Sequence, residues 1–405
     1  MNSRRFCYLD NNATTRVAPE VLEAMTPFLK DHWGNPSSAY SFGHQLSKPL
    51  DKARASVADL LGAEPMEIVF TSCGTESNNA AWNSALAAHP RKKHIVTTTV
   101  EHSANIKFGQ VMEERGYKVT YLKVEADGTL DLGELESALR SDTAVASIMW
   151  ANNETGVLFP IEEVAAICRG KGVLFHTDAV QVPGKLKINA RALGVDYLSI
   201  SAHKLHAPKG IGALYVRRRA PFTPYIVGGS QEKGRRGGTE NVPYVIGFGK
   251  AAELAQDMLP DENSRIRGLR DRMEKAILTQ IPRVTRNGSI RERLPNTSNL
   301  AFEHVEAEGL LHLLDEAGIC ASSGSACTTG AINPSHVLTA MGLKSDRARG
   351  SIRFSLGLYN SEEDVDYLLE VLPGMVQKLR GEPGKMARHR SAKLAASGKA
   401  HSLQT

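Results

Sequence analysis

The chain has 405 residues, of which 41% are hydrophobic and 23% charged, with a formal charge of +5. That composition excludes a disordered or fibrous polymer, and the length asks for two domains around separate cores. The surplus charge is not a nucleic-acid signature: past Gly381, Lys385, Arg388, Arg390, Lys393 and Lys399 face Glu382 alone, so residues 381–405 read as a basic, disordered tail and the body as nearly neutral.

In chain order, MNSRRFCYLDNNATT carries two arginines with no apolar run behind them, so no signal peptide is expected. Pro19 suits a first helical position, and Val21, Leu22, Met25, Phe28 and Leu29 are expected to line one face of the helix it opens. Pro49 interrupts the next helical pattern, His44–Leu61, which is therefore kinked or starts late. β-branched runs follow at Glu67–Thr71, His94–Val100, Lys118–Val124, Ala144–Trp150, Val173–Thr177, Asp196–Ser201 and Ile211–Val216. Helical patterns fill most of the early gaps, at Thr75–Ala88, Ala104–Arg115, Gly133–Arg140 and Ile161–Gly170. Strands alternating with helices predict an α/β fold with a mostly parallel, seven-stranded sheet. None of the apolar stretches is long enough for a bilayer span. Beyond Asp257 the pattern turns helical (Ser264–Gln280, Ala307–Ala317, Glu362–Leu379) around strands at Thr297–Glu303 and Ser351–Leu356, a smaller α+β domain.

Ligands of open α/β sheets bind beyond the carboxyl ends of the strands, and the residues there are reactive. They are Ser72-Cys73-Gly74-Thr75, Glu101-His102, Asn152-Asn153-Glu154, Asp178 with Gln181, and Ala202-His203-Lys204. Each alone has a plain reading: a helix cap at Thr75, a buried carboxylate at Asp178, a satisfied His102, a solvated Lys204. Together they match what a pyridine-phosphate cofactor needs: a helix start for the phosphate, an Asp for the ring nitrogen, a flat partner and an amine. Gly228–Asn241, with Arg235 and Arg236, is either a mobile basic loop or part of a site. The five cysteines show no CxxC spacing, so neither a disulfide framework nor a metal knuckle is indicated, and a reducing cytoplasm fits. Cys327, amid ASSGSACTTG, is either a buried turn residue or an exposed nucleophile.

From Tyr8 to about Leu379 the chain resembles the NifS/IscS-type cysteine desulfurases. The motifs that carry this are YLDNNATT (8–15), GNPSS (34–38), TSCGTES (71–77), WANNETG (150–156), HTDAVQ (176–181), SAHKLHAPKG (201–210), GRRGGTEN (234–241), SSGSACTTG (322–330) and RGSIRFSLG (349–357). WANNETG and HKLHAPKG favour the nitrogen-fixation NifS branch, and the long cysteine loop the group I enzymes. The resemblance implies the aspartate-aminotransferase-like fold. Its large domain is 16–257, and 1–15 joins 258–380 in a small domain that carries the cysteine loop. It implies pyridoxal 5'-phosphate as cofactor and removal of sulfur from L-cysteine, giving alanine and a persulfide for iron–sulfur cluster assembly. Lys204 matches the Schiff-base lysine, Asp178 the pyridinium partner, Gln181 the donor to the ring oxygen and His102 the stacked, catalytic histidine. Gly74, Thr75, Ser201 and His203 match phosphate ligands. Thr239 matches a threonine that reaches the phosphate of the other subunit of a homodimer. Asn153 lies beside the cofactor and, with Arg353, holds the substrate carboxylate. Cys327 matches the persulfide-forming cysteine and is the residue placed to contact a nascent cluster; no other metal site is implied. The implied partners are L-cysteine and a sulfur-accepting scaffold protein, with no nucleic acid and no membrane. Selenocysteine lyase and other activities of the same fold are the alternatives, and a scaffold without chemistry is disfavoured because every matched residue is present. Ser103 replaces a common Pro and Gly238 a common Ser or Ala.

Overall fold

The computed structural model describes residues 5–323 and 334–381; Cys327 and the tail beyond Gly381 lie outside the described residues. Its strands are β1 (Cys7–Tyr8), β2 (Ile68–Thr71), β3 (His94–Thr98), β4 (Lys118–Leu122), β5 (Thr143–Ser147), β6 (Leu174–Asp178), β7 (Tyr197–Ser201), β8 (Gly212–Val216), β9 (Val284–Arg286), β10 (Thr297–Phe302), β11 (Ile319–Cys320) and β12 (Ser351–Ser355). Seven of them form one sheet in the order β2-β8-β7-β6-β5-β3-β4. Only β8 runs against the rest. This is the predicted mostly parallel sheet. β3, β5, β7 and β8 are buried along their whole length, which is why they read as unbroken β-branched runs rather than alternating ones.

One face packs beneath Pro19–Lys30, Ser47–Leu61, Ile161–Gly170 and Val242–Asp261. The other packs beneath Gly74–Ala88 and Ser103–Glu114, where Trp82, Ala85 and Met112 meet Val145, Tyr197 and Leu214. The Pro49 conflict resolves as a late start: the helix begins at Ser47, which leaves Pro49 in the first turn, where no intrahelical N–H is needed. The first helix buries a narrower stripe than expected. Val21 and Met25 are buried, whereas Leu22 and Leu29, seven residues apart on a neighbouring line, are exposed.

The helix Val242–Asp261 was not legible as such in the sequence. It runs through a π-helical turn, Glu262–Ile266, into Arg267–Gln280. Pro260, with no N–H to donate, precedes the change of pitch. Beyond it, β12-β10-β9 form an antiparallel sheet and β1-β11 a parallel pair. A separate apolar cluster joins Cys7 and Leu9 to Met273, Phe302, Phe354 and Leu368. Beside it, buried Glu274 accepts from both terminal nitrogens of Arg293, from Arg286 and from Ser298. These donors hold its carboxyl down to about 2 against the opposing pull of burial. Among the described residues no helix is long and apolar enough to cross a membrane.

Candidate active site

Asp178 is the last residue of β6 and is buried. Its carboxylate is oriented on both sides: Val180 N–H donates to Oδ1 at 3.0 Å and Asn78 Nδ2 to Oδ2 at 2.7 Å. Asn78 escaped the sequence reading because it lies inside the helix Gly74–Ala88, four residues past its start, with no motif to flag it. His102 caps the helix Ser103–Glu114; its Nδ1 accepts the Ala104 N–H at 3.2 Å. In a neutral ring that contact puts the proton on Nε2. Burial lowers the pKa of His102, and the Lys204 and His336 charges add to this, while Asp178 opposes them. Just before it, buried Glu101 accepts from Thr98, Asn105 and the Met149 N–H.

Lys204 ends the short 3-10 turn that follows β7. Its amine donates to two main-chain carbonyls, Asn12 O at 2.5 Å and Ala13 O at 2.7 Å. Burial lowers its pKa to about 7; Arg353 and Lys185 push the same way, and Asp10 and Asp178 oppose them. Asn12 is the hub that sequence reasoning missed. Its carbonyl also accepts from Gln181 Nε2 at 3.0 Å, and its side chain donates to Asn153 O and Thr297 and accepts from Asn296. It stands in the quoted YLDNNATT motif, but it follows no strand end of the large sheet, so the rule that found the other residues passed over it. Thr14 and Thr15 bond to His203, which tacks the same segment over the Lys204 turn.

Arg353 projects from β12 and is buried. It donates to Asn153 O at 2.9 Å and pairs with Asp10 at 2.6 Å. The described residues on either side of 324–333 also reach this region. Ser322 exchanges main-chain hydrogen bonds with Arg353, and Ser335 donates to buried Glu154. Thr239 is exposed on the loop Gly228–Asn241, and that loop is stitched down rather than loose. Arg236 pairs with Glu76 at 3.0 Å, Arg235 donates to Met66 O and Ile68 O, and Glu232 takes a bidentate pair from Arg54.

Comparison with known proteins is decisive at this point. The aminotransferase class-V family pattern matches residues 7–368. The chain belongs to the class-V aminotransferase family. A "Cysteine desulfurase 2" of Trichormus variabilis is 55% identical over 92% of this chain and 94% of its own length. "Cysteine desulfurase NifS" of Azotobacter vinelandii is 50% identical over 92% and 93%. A solved "NifS-like protein" superposes with a TM-score of 0.87 at 39% identity, over 92% of this chain and 100% of that one. "SspA in complex with cysteine" superposes at 0.78 and 37%, over 88% and 100%.

The cofactor of the class-V family and its desulfurases is pyridoxal 5'-phosphate, and the residues present fit it. Among the described residues no side chain caps the start of the 15-residue helix Gly74–Ala88, which leaves its first N–H groups available to an anion. Gly74 leaves no room for a side chain, since a Cβ there would stand 2.7 Å from Val180 Cγ2. Thr75 and His102 line a cavity of about 810 Å³, whereas Lys204 lines a separate small one of about 50 Å³. Gln181 is buried; its Nε2 donates to Asn12 O, and its Oε1 has no partner among the described residues.

Proposed function

We propose that this class-V protein is a cysteine desulfurase that takes sulfur from L-cysteine and releases L-alanine. The observation that carries this reading is the Lys204 amine, brought near neutrality at one end of the sheet beside oriented Asp178 and His102. The names of relatives at 50–55% identity support it.

In this reading Lys204 holds the cofactor. Gly74, Thr75, Ser201 and His203 take its phosphate, Asp178 its ring nitrogen, and Gln181 its ring oxygen. His102 would face its ring, and Asn153 would be a further neighbour. When bound, the cofactor supplies an electron sink for the bond broken at the substrate Cα. Arg353, with Asn153, orients the substrate carboxylate, and Arg suits that task because its planar fork matches a carboxylate. Once freed by the substrate amine, the Lys204 amine, whose neutral form burial favours, would remove the Cα proton; a positioned base is worth about 10²–10⁴-fold. His102, with its proton on Nε2, would serve as proton carrier to the substrate thiol. Cys327 attacks the substrate sulfur: the Cβ–S bond breaks, the Sγ–S bond forms, and the electron pair left on Cβ takes a proton to give alanine. The atoms balance as cysteine plus thiol giving alanine plus persulfide.

The finer calls belong to the same reading. The persulfide passes to a sulfur acceptor for iron–sulfur assembly, on the nitrogen-fixation side, in the cytoplasm. Thr239 serves the phosphate site of a second copy in a homodimer, in keeping with its exposure. The division into 16–257 and 1–15 with 258–380 agrees with the separate apolar cluster around Met273. The test is mass spectrometry after L-cysteine is added to the cofactor-loaded protein. A 32 Da sulfur adduct (roughly the mass of one sulfur atom) is expected on Cys327, and none on any cysteine of Cys327→Ala. Wild-type rates of alanine production by Cys327→Ala would sink the reading.

A further inference from the structure

Arg353 is only 3% exposed, and its guanidinium is engaged before any ligand arrives. One terminal nitrogen donates to Asn153 O, and the other carries an ion pair with Asp10 at 2.6 Å. Nε is buried and has no acceptor among the described residues. A guanidinium in this setting needs a counterion, because a buried and unpaired charge is strongly destabilising. Asp10 supplies one from the opposite end of the chain. Its backbone is fixed for the task by a parallel bridge to Ser355, two residues beyond Arg353, and the next residue, Asn11, donates its N–H to Ser355 O. The carboxylate is therefore held in place rather than swung in from solvent.

We infer that Asp10 is a positioning residue that competes with amino-acid carboxylates for Arg353 and so weakens capture of substrate and product alike. This rests on the reading of Arg353 given above. A ligand carboxylate meets an Arg353 whose charge is already neutralised, so it gains less than it would from a free guanidinium. L-cysteine and L-alanine carry the same α-carboxylate. Tighter capture of one is tighter retention of the other, and uniform binding of that kind lowers KM without raising kcat. Asp10 keeps the resting arginine paired and lets alanine leave.

The experiment is calorimetric titration of the cofactor-loaded protein with L-alanine and with ethylamine, its carboxylate-free counterpart. Asp10→Asn is expected to bind L-alanine on the order of tenfold more tightly and ethylamine as wild type does. Asp10→Ser, which also removes the charge, repeats this if Asp10→Asn fails to fold. Asp10→Glu, which keeps the charge, returns to wild-type affinity. In turnover, KM for L-cysteine falls and kcat does not rise. Unchanged or weaker L-alanine binding in both neutral variants overturns the competition, and so does an equal gain for ethylamine. Arg353→Ala separates the two ideas. If it binds L-alanine as wild type does, the assignment of Arg353 itself is wrong; if it loses L-alanine while the Asp10 variants do not respond, only the competition fails.

Discussion

Lys204 offers the sharpest quantitative test, because its amine can be titrated without turnover. An ordinary lysine, with a pKa near 10.5, is neutral in about one molecule in 3,000 at pH 7. Held at about 7 by burial and by the Arg353 and Lys185 charges, Lys204 is neutral in roughly half. Only the neutral amine condenses with an aldehyde. The rate at which cofactor-free protein captures pyridoxal phosphate should therefore climb about tenfold per pH unit below 7 and level off above it. Pyridoxal, run in parallel, removes the ionisation of the phosphate from the profile. The neighbours fix the direction of the mutant shifts. Arg353→Ala removes a cation and moves the midpoint up; Asp10→Asn removes an anion and moves it down. The assay is stopped-flow absorbance from pH 5.5 to 9. A capture rate that keeps rising tenfold per unit to pH 9, or mutant midpoints that move in the opposite directions, would refute the argument.

Two further outcomes follow from contacts described above. Glu274→Gln keeps the shape of the side chain but strands Arg293 without its buried counterion. The carboxyl is held at about 2 instead of its ordinary 4.5, so its charge contributes about 3 kcal/mol to stability at neutral pH. That contribution is whole above about pH 5 and is lost as pH falls through 4.5 toward 2, so urea unfolding of the variant and wild type should differ by about 3 kcal/mol at pH 7 and converge in acid. A gap under about 1 kcal/mol at pH 7, or one that widens in acid, contradicts the network. Asn78→Ala removes the donor to Asp178 Oδ2. A hydrogen bond to a charged group is worth about 1.5–3 kcal/mol, so the Kd for pyridoxal phosphate, measured by equilibrium dialysis, should rise at least about tenfold.

The large sheet and most of the candidate site were legible because one rule governs both. Buried parallel strands declare themselves as β-branched runs, and Asp178, His102 and Lys204 stand directly after such runs. What stayed hidden obeys other physics. Strands β1 and β11 have two residues each, too few for any period to show. The helix Val242–Asp261 contains Gly247 and Gly249, which weaken its intrinsic signal, yet a Cβ at these positions would come within 2.6 Å of Met25 Sδ and 2.5 Å of Ala53 Cα. Close helix packing requires the very residues that conceal the helix. Asn12 and Asp10 act through partners 192 and 343 positions away, and no local window contains such a relation.

That separation has a consequence for how the protein is made. Residues 10–13 are made well before β11 and β12, which hold this segment in place and emerge about 300 residues later. At about 5–20 residues per second, the roughly 150 residues from Lys204 to the end of β12 take about 7–30 s, during which Lys204 exists without its finished surroundings. The nascent chain is thus unable to complete its reactive centre until β12 has emerged, and a product truncated before β12 would lack it altogether.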